Sequence, residues 1–164
     1  MLVFIVLVFA VTLSRFRGNH TCPERAVRSF SNRIEQGNFN GLTLTIFYRD
    51  TRSTFHFPQS VEDYVGHGMY EYRIIVDGNE LEAHKHLLNK ISADNLSPVT
   101  QAFPIMVKLY YEFAINGRRI FGVVPLHYFD DSRMLINGVE FDWDDSFFDI
   151  IKPFLPENSP WLRA

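Results

Sequence analysis

Apolar positions along this chain recur with two different periods, and one stretch has no polar period at all. From Met1 to Leu13, Thr12 is the only polar residue. As a helix these residues would rise about 20 Å, short of the ~30 Å hydrocarbon core of a bilayer. That length suits the hydrophobic region of an export signal or a short anchor better than a full span. Arg15 and Arg17 follow the run and no basic residue precedes it. Positive charge on that side favours the cytoplasm, so the segment's topology stays open.

Beyond the stalk the pattern becomes that of a folded domain. Thr21-Cys-Pro-Glu24 has capping-box spacing, Val27, Phe30 and Ile34 follow at helical intervals, and Gly37 stops the pattern. This predicts a helix over residues 23–36. Residues 42–48 alternate, with Leu42, Leu44, Ile46 and Tyr48 on one face and Thr43, Thr45 and Phe47 on the other. A turn and a short return strand over 54–57 would complete a first hairpin. Ser60-Val-Glu-Asp63 caps a short helix, and residues 69–76 form a strand placing Tyr70, Tyr72, Ile74 and Val76 on one face. Asn79-Glu-Leu-Glu82 opens a helix reaching about Ser92, its apolar side made by Leu81, His84, Leu88 and Ile91.

The second half reads as a meander. Residues 105–115 form the longest expected strand, with Ile105, Val107, Leu109, Tyr111, Phe113 and Ile115 on an apolar face and Lys108 and Glu112 on a wetter one. Asn116-Gly117 and Asn137-Gly138 are two-residue hairpin turns. Pro125 marks an edge or a break in the strand between them. A short helix capped by an aspartate of Asp142-Trp-Asp-Asp145 precedes Pro153. Strands joined by tight turns pair antiparallel. The expected fold class is α+β: an antiparallel sheet of hairpins and a meander, with helices packed on one face, plus an N-terminal hydrophobic helix. The organisation is a signal or membrane-anchor segment (1–14), a stalk (15–20), one domain (21–156) and a loose tail (157–164).

Composition narrows the function more by exclusion than by assignment. The chain has 164 residues with 16 phenylalanines, enough for a core without metal or disulfide staples. With Lys+Arg 16 against Asp+Glu 19 the net charge is −3, and no basic stripe suited to nucleic acid stands out. The single cysteine, Cys22, excludes an intrachain disulfide. It lacks the small apolar run of a lipid-attachment box, and no nucleophile motif surrounds it. His84 and His86, two apart on a predicted helix, point away from each other and cannot chelate one ion. Asp142, Asp144 and Asp145 lack the glycine and distal glutamate of a calcium loop, and helix capping accounts for them. No metal, cofactor or catalytic residue is assigned.

The most suggestive feature is aromatic. Tyr70, Tyr72, Tyr110, Tyr128 and Phe129 lie on expected strands, and those facing away from the helices would form a binding surface. The expected role is a membrane-tethered or secreted extracytoplasmic binding module, its partners the membrane through Met1 to Leu13 and a protein or cell-envelope ligand. A small hydrolase using His127 or His56 with an acid is one alternative. An immunity or inhibitor protein presenting the loop over 92–103 is another.

His86-Leu-Leu-Asn-Lys-Ile91, Leu96-Ser-Pro-Val99, Ile136-Asn-Gly-Val-Glu140 and the run from Phe148 to Pro156 resemble a small uncharacterised domain of exported or membrane-anchored Gram-positive bacterial proteins. The resemblance spans about residues 42–156. It implies export and carries no known activity.

Overall fold

The structure, a computed structural model, describes residues 22–50, 60–99, 107–128 and 131–162. The expected N-terminal hydrophobic helix, the return strand over 54–57 and the cap residue Thr21 lie outside the described residues. No described helix is long and apolar enough to cross a membrane.

Helix α1 (Pro23–Glu35) starts at Cys22, whose thiol donates to the Glu24 carboxylate at 2.6 Å, with Pro23 in the first turn. It stops where the sequence expects. Gly37 takes φ +68°, its N–H bonds to the Ile34 carbonyl, and the Asn38 N–H bonds to that of Arg33. These two bonds make a Schellman cap, which needs a left-handed residue and so favours glycine. Strand β1 (Leu42–Tyr48) follows, then helix α2 (Val61–Gly66), whose cap Ser60 accepts from the Asp63 N–H at 3.1 Å. Strand β2 (Tyr72–Asp77) leads into helix α3 (Gly78–Ala83), capped by Asp77 rather than by Asn79, and then helix α4 (Lys85–Leu88). The continuous helix expected over 79–92 is thus broken at His84. Strands β3 (Leu109–Ile115), β4 (Arg118–Tyr128), β5 (Asp131–Ile136) and β6 (Val139–Asp142) form the meander, and helix α5 (Asp145–Asp149) follows it.

All pairings are antiparallel, in the order β2-β1-β3-β4-β5-β6. Both Asn-Gly turns have φ > 0 at both central residues (50° and 76°, 51° and 84°), as type I′ turns demand. Among the described residues β4, not β3, is the longest strand. Its pairing with β3 ends at Tyr111↔Val123 while its pairing with β5 runs on through Pro125↔Met134. Pro125 therefore sits where one side of the strand has no ladder to interrupt.

The sheet divides two apolar clusters. Helix α1 lays Val27, Phe30 and Ile34 on Leu44, Phe113, Phe121 and their neighbours. On the opposite face Phe47, Val107, Tyr110, Val124, Leu126 and Leu135 gather under Tyr64 of α2. Helices on one face only is therefore corrected: α2 covers part of the second face. Its Tyr64 hydroxyl donates to the Lys108 carbonyl at 2.8 Å, which anchors the helix over the sheet.

Two further expectations change. Val107 belongs to the second cluster while Leu109, Tyr111 and Phe113 belong to the first, so the apolar face expected from 105 begins at Leu109. The tail is not loose through Trp161, whose ring is 6% exposed and whose indole N–H donates to the Arg49 carbonyl at 3.0 Å.

Candidate functional site

The tyrosines expected to share one open face are divided by the strand pleat and by burial. Tyr72 pairs with Tyr48 and stacks on its ring, with centroids 4.8 Å apart, on the α1 side of the sheet. Tyr70 lies before β2 begins and packs edge-on against Phe47 at 4.9 Å on the other side. The two do not form one surface. Tyr110 is only 2% exposed, so it cannot be an open contact residue. Tyr128 closes β4, and Phe129 lies outside the described residues.

Tyr110 instead pins a polar network on the face away from α1. Its hydroxyl donates to the Glu112 carboxylate at 2.7 Å and accepts from Arg119 at 3.4 Å. Burial first, then the Glu112 charge, push the phenol far above its ordinary pKa. Such a group is a poor proton donor to any substrate. Burial pulls the Arg119 guanidinium down, but Tyr110, Glu112 and Glu62 outweigh that and hold it above its usual value. The ring reaches this position because Gly122 opposite offers no side chain. The arrangement fastens the Tyr110 hydroxyl between the Glu112 carboxylate and the Arg119 guanidinium.

What stays open is the strand at the sheet's edge. Among the described residues, β2 pairs only with β1. Ile75 is 58% and Tyr72 53% exposed, on opposite faces of that strand. Arg73 lies between them, its guanidinium 5.5 Å over the Phe47 ring rather than projecting along the edge. The tyrosine pattern of the strands does not single out Ile75. The apolar run Ile74-Ile75-Val76 was the signal, because one of three consecutive apolar residues in a strand must face away from the core.

Of the histidines in the hydrolase alternative, His127 lies on β4, paired with Ser132 of β5. His56 lies outside the described residues. His67 and Asp63 approach to 3.6 Å, but both are exposed on α2 and no cleft encloses them. His84 packs edge-on against Phe154 at 5.0 Å. No group of three or more His, Cys, Asp or Glu able to hold a metal ion occurs among the described residues. The loop over 92–103 is fastened in its first half. Ser92 caps a short 3-10 turn over Ala93–Asn95, and the Val99 N–H and Ser97 carbonyl bond to Glu140 and Asp142 of β6. It lies along the sheet to Val99 instead of protruding.

No protein-family model, no curated protein and no solved structure matches the chain.

Proposed function

We propose that the chain is a non-enzymatic binding module of the cell envelope. Residues 1–13 export or tether it, and β2 captures an extended segment of a protein partner by strand addition. The carrying observation is the exposure of Ile75 and Tyr72 on a strand that, among the described residues, pairs on one side only. Single exposed apolar residues are ordinary on a surface. On an edge strand they sit beside unpaired backbone donors and acceptors, the combination that templates pairing with another chain.

A photo-crosslinking residue at position 75 of the full-length chain, expressed in cells, should capture a partner that the same probe at exposed Glu82 does not. With the probe moved to position 73, exposed on the same face of β2, Ile75→Arg should weaken capture about tenfold while shifting stability by no more than ~0.5 kcal/mol, as surface substitutions do. A loss of ~2 kcal/mol or more would show Ile75 to be covered core and end the proposal. For the address, protease added to intact cells should digest the domain; digestion only after lysis contradicts export.

A further inference from the structure

Away from the open edge, the helix-covered face contains a cleft of about 320 Å³ between α1 and the end of the β3–β4 hairpin. Two local features build it. Ser29, Asn32, Arg33 and Gln36 recur at intervals of three and four, so one stripe of α1 lines one wall. The opposite wall comes from a β-bulge. Register shifts between Phe113↔Phe121 and Ala114↔Arg119, which leaves Ile120 as an extra residue on β4. An extra residue breaks the alternation, so Ile120 turns to the α1 side next to Phe121, and with Ile115 forms an apolar surface.

Among the described residues, Arg33 is the only formally charged one in the lining, and no carboxylate lines the cleft. Its Nη2 donates to the Asn40 carbonyl at 2.6 Å, which holds the guanidinium in place. Its Nε is buried and has no hydrogen-bond partner among the described residues. The helix's negative end does not cancel this cation. The carbonyls of Asn32, Arg33 and Ile34 are taken by the N–H groups of Gln36, Asn38 and Gly37, and Lys85 reaches that of Glu35. A fixed guanidinium with donors to spare, exposed amide side chains of Asn32 and Gln36 beside it, and an isoleucine wall opposite make an amphipathic half-open site.

We infer that this cleft binds a small organic carboxylate with a compact hydrocarbon body, its carboxylate on Arg33 and its body against Ile115 and Ile120. At about 320 Å³ the cleft lies at the small end of ligand sites, ~300–1,000 Å³, with room for a single-ring or short branched acid. Charge-assisted hydrogen bonds to an arginine fork are roughly twice as strong as neutral ones, so the acid should be preferred over its amide. This site is separate from β2 and stands or falls independently of the strand-addition reading.

The test is a ligand-observed NMR titration of the full-length chain in non-ionic detergent with benzoate, phenylacetate and isovalerate, each beside its carboxamide. At least one acid should saturate and bind about tenfold more tightly than its amide. Arg33→Gln should erase that preference. Because Arg33 also holds Asn40, a second variant guards against misfolding. Asn32→Asp, nearly isosteric and exposed, should weaken the acid about fivefold more than it weakens the amide. Failure of every acid to saturate, equal binding of acid and amide, or acid binding that survives Arg33→Gln would each overturn the inference.

Discussion

Replacing Gly122 by alanine places one methyl group where the buried Tyr110 ring already is. A Cβ at that position would lie 2.3 Å from the Tyr110 hydroxyl oxygen, 2.6 Å from its Cε2 and 2.8 Å from its Cζ. Favourable non-bonded separations are ~3.5–4.0 Å, so the ring must retreat by roughly 1 Å. It has no room to do so. It is 2% exposed, it stacks on Phe47 with centroids 5.8 Å apart, and its hydroxyl is tied to Glu112 at 2.7 Å. Overpacking of this kind costs about 1–3 kcal/mol, and a lost hydrogen bond to a charged partner about 1.5–3 kcal/mol. Alanine's lower backbone entropy in the unfolded chain offsets ~0.5–1 kcal/mol of that. The net expectation for Gly122→Ala is a destabilisation of about 3 kcal/mol, read from urea denaturation followed by tryptophan fluorescence. Tyr110→Phe should rescue it only in part, because the two ring carbons still clash after the hydroxyl is gone. Tyr110→Val should relieve it, with a coupling of about 1–2 kcal/mol in the double-mutant cycle. A Gly122→Ala variant within 0.5 kcal/mol of the parent, or strict additivity with Tyr110→Val, refutes the argument that these two residues are shaped to each other.

Two more expectations follow from burial. Tyr64, Tyr110 and Tyr111 have phenols raised above their ordinary value, burial being the largest cause in each. Unfolded tyrosines lose their protons near pH ~10. Below that pH both states are protonated and these groups add no pH dependence. Above it the unfolded chain binds fewer protons, so stability falls by up to ~1.4 kcal/mol per pH unit for each of them. Tyrosinate absorbance should therefore rise together with loss of near-UV circular dichroism, and ionisation of all tyrosines near pH 10 with the fold intact would contradict it. At the C-terminus, Trp161→Ala should cost about 3–5 kcal/mol, the usual range for a buried tryptophan. A urea midpoint unchanged by that substitution would restore the loose tail.

By itself the sequence determined the features whose physics is local. Gly37 ends α1 because a Schellman cap needs a left-handed residue just past the helix. Asn116-Gly117 and Asn137-Gly138 turn the chain because few residue pairs take two positive φ values in succession. Ser60 and Asp144 cap their helices through side chains that reach backbone N–H groups two or three residues ahead. The alternation of residues 42–48 correctly divides β1 into two faces, since the pleat has a period of two whatever it is packed against.

Only the tertiary structure decided what covers each face, because burial belongs to two surfaces and not to one segment. Tyr72 and Tyr110 look equivalent as strand tyrosines. One lies at the sheet's edge and is half open, while the other is sealed among Phe47, Val124 and Gly122. β1 lies between β2 and β3, partners as far away as Ile115, so its place in the sheet is set by long-range pairing that no short window contains. The bulge at Ile120 reverses the facing that simple alternation assigns, and Trp161 is held by a carbonyl more than a hundred residues earlier. Arg33 reads as an exposed helix cation until the Asn40 carbonyl holds it and the β3–β4 hairpin places its isoleucines opposite.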